Sequence, residues 1–112
     1  MKKRNVCIIG GGASGMIAAL FAAKEGAAVT ILEHNDKVGK KILATGNGRC
    51  NLTNLYQAPS CYHSSEQERA CEILQQFDVQ QTIRFFSDLG LYTRNKNGGI
   101  YPFSMQAQSV RD

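Results

Sequence analysis

Along the first third of the chain the apolar positions change their spacing twice. Residues 5–10, NVCIIG, form a short apolar run containing Val6, Ile8 and Ile9 and ending at glycine. The run does not alternate, so it predicts a strand buried on both faces, as in a parallel sheet covered by helices. Residues 16–26, MIAALFAAKEG, are helix-forming and stop at Gly26. Ala18, Ala19, Ala22 and Ala23 keep that helix thin enough to pack closely on strands. Residues 27–33, AAVTILE, read as a strand again and close on Glu33, so the opening of the chain predicts β-α-β.

The second half is mostly helical in grammar. After a connector over residues 56–63 containing Pro59, SSEQERACEILQQF predicts a helix, with Ser65 and Glu68 at capping-box spacing and Ala70, Ile73, Leu74 and Phe77 on its apolar side. VQQTIRFFSDLG predicts another, capped by Asp78 and Gln81, striped by Val79, Ile83 and Phe86, and ended by Gly90. LYTRNKNGGIYP predicts two short strands turning at Asn97 and Gly98. SMQAQSVRD begins a further helix at Ser104. Tyr92, Tyr101 and Phe103 fit either a ligand pocket or ordinary packing, and packing is favoured; Arg94 and Lys96 are expected in solvent. No third parallel strand is supplied. A doubly wound sheet needs neighbours and cover on both faces, so the chain is expected to be the N-terminal fragment of a larger enzyme.

The turn between the first strand and helix carries the first chemistry. Gly10, Gly12 and Gly15 in GGGASG fit G-x-G-x-x-G. Gly10 suits a tight turn, Gly12 leaves room for a pyrophosphate, and Gly15 lets the helix approach the sheet. Ala13 and Ser14, between the last two glycines, belong to the same candidate set, because free N–H groups at a helix start meet phosphate oxygens. Glu33, at the end of the second strand, suits a ribose 2′-hydroxyl and repels a 2′-phosphate. The expected ligand is FAD or NAD rather than NADP. No G-K-[ST] follows the glycines, which excludes a P-loop.

A second polar stretch, GKKILATGNGRCNLTN over residues 39–54, follows the Glu33 strand. TGNG can turn tightly and expose backbone N–H groups, and Arg49 can neutralise a phosphate, so the stretch reads as a cofactor loop in preference to a solvated one. Cys50 stays open between a thiolate favoured by Arg49 and a small packing residue.

Composition narrows the class without naming it. The 112 residues suit one ordinary domain, 43% hydrophobic and 20% charged. The net charge of +4 includes Lys2, Lys3 and Arg4 at the N-terminus, and the other basic residues are dispersed, so no nucleic-acid partner is expected. The four cysteines lack C-x-x-C spacing, His34 and His63 stand apart, and no apolar run reaches membrane-spanning length. No metal, no membrane and a cytoplasmic setting are expected, and the oligomeric state stays open.

The blocks GGGASGMIAALFAAKEGAAVTILE, GKKILATGNGRCNLTN and GGIYPFSMQAQSV together resemble the N-terminus of NAD(P)/FAD-dependent oxidoreductases of the aminoacetone-oxidase-like or BaiN-like flavoprotein family. The resemblance implies an α/β, Rossmann-like FAD-binding βαβ unit, incomplete in this fragment, with a helical and β-hairpin excursion. Residues 1–55 would begin the FAD-binding domain, 56–97 would hold the helical segment and start of the hairpin, and 98–112 would finish the hairpin and turn back to the FAD core. It also implies Lys41, Thr45, Gly46, Asn47, Gly48, Arg49, Cys50 and Asn51 around the FAD. The implied activity is flavin-mediated hydride or electron transfer with a small organic substrate, with NAD(P)H as transient co-substrate; the isolated fragment is expected to be inactive. An NAD-dependent dehydrogenase and a non-catalytic dinucleotide-binding module are the alternatives.

Overall fold

The computed structural model describes residues 2–112. β1 (Asn5–Ile9) and β2 (Ala28–Leu32) pair in parallel, from Asn5 opposite Ala28 to Ile9 opposite Leu32, and α1 (Ala13–Lys24) connects them. Gly26 N–H bonds the Ala23 carbonyl at 2.9 Å and Ala27 N–H that of Ala22 at 3.1 Å, a Schellman closure that stops α1 where the sequence places its end. The expected burial of β1 on both faces is not met. Its residues alternate between exposed and half-buried, with Ile9 81% exposed, because among the described residues the sheet has two strands and α1 as its only packed helix.

Past β2 the chain enters a 3₁₀-helical stretch, Lys40–Gly48, broken by a kink at Thr45, Gly46 and Asn47. β3 (Thr53–Asn54), which the sequence did not announce, joins β4 (Thr93–Lys96) and β5 (Gly99–Pro102) in a three-stranded antiparallel sheet of order β3-β5-β4. Asn97 and Gly98 connect β4 to β5 with φ of 52° and 88°, the positive values that a two-residue hairpin turn requires at both central positions.

α2 (Gln67–Gln75) and α3 (Val79–Asp88) lie between β3 and β4 in sequence, inside the stretch that forms the second sheet. The capping box expected from Asp78 and Gln81 is formed: Asp78 Oδ1 accepts from Gln81 N–H and Gln81 Oε1 from Asp78 N–H, both at 2.8 Å. The one expected from Ser65 and Glu68 is not; α2 starts after Glu66, and Ser64 Oγ accepts the Glu66 N–H at 3.0 Å, closing a serine turn one residue upstream. Phe21 of α1 stacks on Phe85 of α3 with ring centroids 5.3 Å apart, and Phe77 meets both edge-on. These rings bring α3 against α1.

α4 (Ala107–Arg111) begins after Gln106, not at Ser104, whose hydroxyl instead accepts the Gln106 N–H at 3.2 Å. It packs on the 3₁₀ stretch. Ile42, Cys50 and Ala107 form a buried cluster, with Met16, Leu52 and Val110 packed around it. The packing expected of Tyr92 and Phe103 is also absent: both rings are open, and Phe103 lies beneath the Arg94 guanidinium, 5.2 Å from its ring centroid. Among the described residues no helix is long and apolar enough to cross a membrane.

Candidate functional site

The glycine turn is held from two sides through a residue that the G-x-G-x-x-G pattern treats as variable. Gly11 donates its N–H to Glu33 Oε1 at 2.9 Å and accepts the Gly39 N–H on its carbonyl at 2.6 Å. It is buried, and a Cβ placed on it would meet Val38 Cγ1 at 2.6 Å. One backbone unit thus ties the end of β2 and the start of the second loop to the first turn of α1. Three successive glycines were the signal for this role, although the motif assigns none to the middle one.

The motif glycines divide by what surrounds them. A Cβ on Gly15 would overlap the Gly10 carbonyl oxygen, so this glycine is required for α1 to close on β1. A Cβ on Gly12 would meet no atom within 4 Å. Gly12 is also the N-cap of α1 and supplies no side-chain cap, leaving the N–H groups at Ala13 and Ser14 facing an open approach. Packing does not explain the glycine there.

Glu33 is held by the backbone around it. Its Oε2 accepts the Asn35 N–H at 2.8 Å and lies 3.3 Å from His34 Nδ1. The N–H groups of Asn35 and Gly11, with a smaller contribution from His34, hold its carboxyl below the ordinary value, so it stays ionised at neutral pH. A carboxylate has about four lone-pair sites, and the two backbone donors leave some of them free for further hydrogen bonds.

The second loop separates into exposed and committed residues. Lys41, Asn47 and Arg49 are exposed, as are the backbones of Gly46 and Gly48. Thr45 donates its hydroxyl to the Ile42 carbonyl at 2.7 Å. The Asn51 amide donates to the Thr53 and Ile100 carbonyls at 3.0 and 3.3 Å, fastening the loop to β3 and β5. Cys50, 7% exposed among Ile42 and Ala107, takes the packing role of the two readings. Asn47 and Cys50 hold φ of 55° and 58°, a left-handed geometry uncommon outside glycine that concentrates backbone strain in this loop. Gly39 has φ of 68°, and a Cβ there would meet Arg111 Cγ at 2.8 Å; neither it nor Val38 figured among the sequence candidates.

Ala13, Thr45, Cys50 and Asn51 share the wall of an apolar cleft of about 770 Å³ between α1, β2 and α4. Gly10, Gly12, Glu33 and Arg49 lie outside it. The structure therefore brings the candidates together as two neighbouring groups, joined at the Gly11–Gly39 hydrogen bond.

Comparison with known proteins shows the family. The chain is 55% identical over 105 residues to a 3-dehydro-bile acid delta(4,6)-reductase of Clostridium scindens, a match covering 92% of this chain and 26% of that protein. It is 33% identical over 112 residues to the ribosomal RNA dihydrouridine synthase of Escherichia coli, covering 100% of this chain and 28% of the relative. A ribosomal RNA dihydrouridine synthase of Haemophilus influenzae matches at 35% over 92 residues, 82% of this chain and 23% of the relative. The chain thus spans about a quarter of the length of these curated relatives. The family model for the HI0933-like protein Rossmann domain matches residues 4–112, and the chain belongs to that family.

Proposed function

We propose that this chain forms the dinucleotide end of an FAD-dependent oxidoreductase of the aminoacetone-oxidase-like or BaiN-like type, with NAD(P)H as reductant. The observation that carries this reading is the Gly11 anchor, which holds an open, uncapped helix start beside an ionised Glu33 and fastens the second loop to both. In this reading Gly10, Gly12 and Gly15, with the backbone of Ala13 and Ser14, take the pyrophosphate, and Glu33 takes the adenosine ribose. Lys41 and Arg49 offer positive charge; Gly46, Asn47 and Gly48 offer backbone and amide hydrogen bonds. Thr45, Cys50 and Asn51 keep the loop in shape. FAD, when bound, supplies the hydride chemistry, and the protein positions it and tunes its surroundings.

The names of the relatives share one chemistry. A delta(4,6)-reductase of a 3-dehydro bile acid and a synthase of dihydrouridine both saturate a carbon–carbon double bond conjugated to a carbonyl. We read the substrate of this protein as such a conjugated system, reduced by two electrons from NAD(P)H and two protons. A second reading narrows it to a uracil ring in RNA, favoured by a relative whose match runs the whole length of this chain.

The test is the visible absorption spectrum of the purified full-length protein, before and after addition of FAD. Bound-flavin bands that bleach with NAD(P)H and recover with an enone are the expected result. If no flavin band forms and a nicotinamide dinucleotide binds alone, the NAD-dependent dehydrogenase replaces this reading. If neither binds, the chain is no cofactor site.

A further inference from the structure

The three-stranded sheet has two unlike faces. Register and alternation put Ile100 and Pro102 of β5 on one face and Gly99 and Tyr101, with Arg94 and Lys96 of β4 and Asn54 of β3, on the other. Phe103 N–H donates to the Tyr92 carbonyl at 2.8 Å, so pairing continues one step beyond both strands and sets Tyr92 opposite Phe103. Both therefore share the face of Arg94 and Tyr101. Ile100 and Pro102 are buried; on the other face Tyr92 is 71% and Phe103 64% exposed, Arg94 and Lys96 are exposed, and Tyr101 is half-buried with its ring beside the buried Gly99.

Single exposed aromatics are ordinary, and cations on an edge strand such as β4 deter aggregation. Neither explains three aromatic rings and two cations on one face with no carboxylate among them. Arg94 already lies over Phe103 within cation–π reach, 5.2 Å from the ring centroid, so a charged group and a stacking surface are prepared together. A ligand that uses both is a chain of planar bases joined by phosphates.

We propose that this face, Tyr92, Arg94, Lys96, Tyr101 and Phe103, is a contact surface for single-stranded RNA. Bases stack on Tyr92 and Phe103, and phosphates meet Arg94 and Lys96. The choice of RNA rests on the second substrate reading given above. In sequence the basic residues are dispersed, which is why no nucleic-acid partner is expected from it; the sheet register gathers two of them beside the aromatics.

The experiment measures binding of a fluorescein-labelled 12-mer of oligouridylate to the purified protein by anisotropy over a salt series. Variants are Tyr92→Leu, Phe103→Leu, Arg94→Ala and Lys96→Ala, each checked for an unchanged circular dichroism spectrum. Loss of either ring is expected to weaken binding about tenfold. Loss of either cation is expected to reduce the slope of log affinity against log salt by about 0.7. RNA binding that all four variants leave unchanged overturns the face while the RNA-substrate reading stands. No binding by the unaltered protein overturns both. Equal affinity for oligodeoxythymidylate overturns the assignment to RNA. A change of oligomeric state in Tyr92→Leu with RNA affinity unaltered identifies a second copy of the chain as the occupant and overturns it too.

Discussion

α1 is almost wholly apolar, yet none of its residues is buried, while the polar stretch Lys40–Gly48 places Ile42 at 7% exposure in a buried cluster with Cys50 and Ala107. The βαβ unit and the loop region differ in how many sides of each residue find a neighbour. β1 has β2 beside it and α1 on one face, and its remaining apolar surface, with that of α1 and β2, stays open or lines the 770 Å³ cleft. Ile42 is enclosed because α4 arrives from far along the chain and closes over the loop with Ala107 and Val110. Apolar sequence marks where cover is wanted; burial records where topology has delivered it.

The largest expected effect tests that contrast directly. Ile42→Ala should cost about 2–5 kcal/mol, the range for emptying a buried site, whereas Ile9→Ala should stay within about 0.5 kcal/mol, as for exposed positions. Urea unfolding of both variants measures the difference. Equal costs would show that β1 is covered in the protein and that the two regions are alike in packing.

The next effect separates packing from ligand approach within the βαβ unit itself. Gly15→Ala forces a methyl against the Gly10 carbonyl and should destabilise the fold by about 1–3 kcal/mol. Gly12→Ala meets no atom and should leave unfolding unchanged, while lowering FAD affinity about tenfold, or ~1.4 kcal/mol. Unfolding and flavin titration of the same two variants give the comparison. If Gly12→Ala lowers stability and spares affinity, the open space at the helix start is not a phosphate site.

Local rules carried much of the fold into the sequence. The strands β1 and β2, the Gly26 and Gly90 helix stops, the Asp78–Gln81 box and the Asn97–Gly98 turn each depend on neighbours within a few residues, so they were legible. What escaped depends on partners far away. β3 exists because Asn54 and Thr53 meet β5, and the packing of Cys50 is decided by Ala107. The candidate site shows the same division. Gly12 and Glu33 stand in a local pattern, but Gly11 matters through Val38 and Gly39, which no pattern joins to it. The openness of Tyr92 and Phe103 is not legible in the sequence, because alternation tells which residues share a face and not which face is covered.

The smallest effect lies at the seam between the regions, where Glu33 receives the N–H groups of Asn35 and Gly11, and Gly11 in turn receives Gly39. Those donors favour the ionised carboxylate, with Asn35 contributing most, so its pKa is lower in the folded protein than in the unfolded chain. The sign follows from linkage. The stabilisation is fully present above the unfolded value and is lost as pH falls through the depressed folded value, because protonation then consumes the preference for the charged form. Glu33→Gln cannot titrate, so its stability difference from the parent should be constant at neutral pH and shrink on acidification. Thermal unfolding of both proteins across the acid range measures that difference. Parallel acid limbs would mean that the carboxylate does not hold the seam. A shrinking difference accompanied by the same acid-dependent loss of FAD would mean that the glycine turn and the second loop are held as one unit through Gly11.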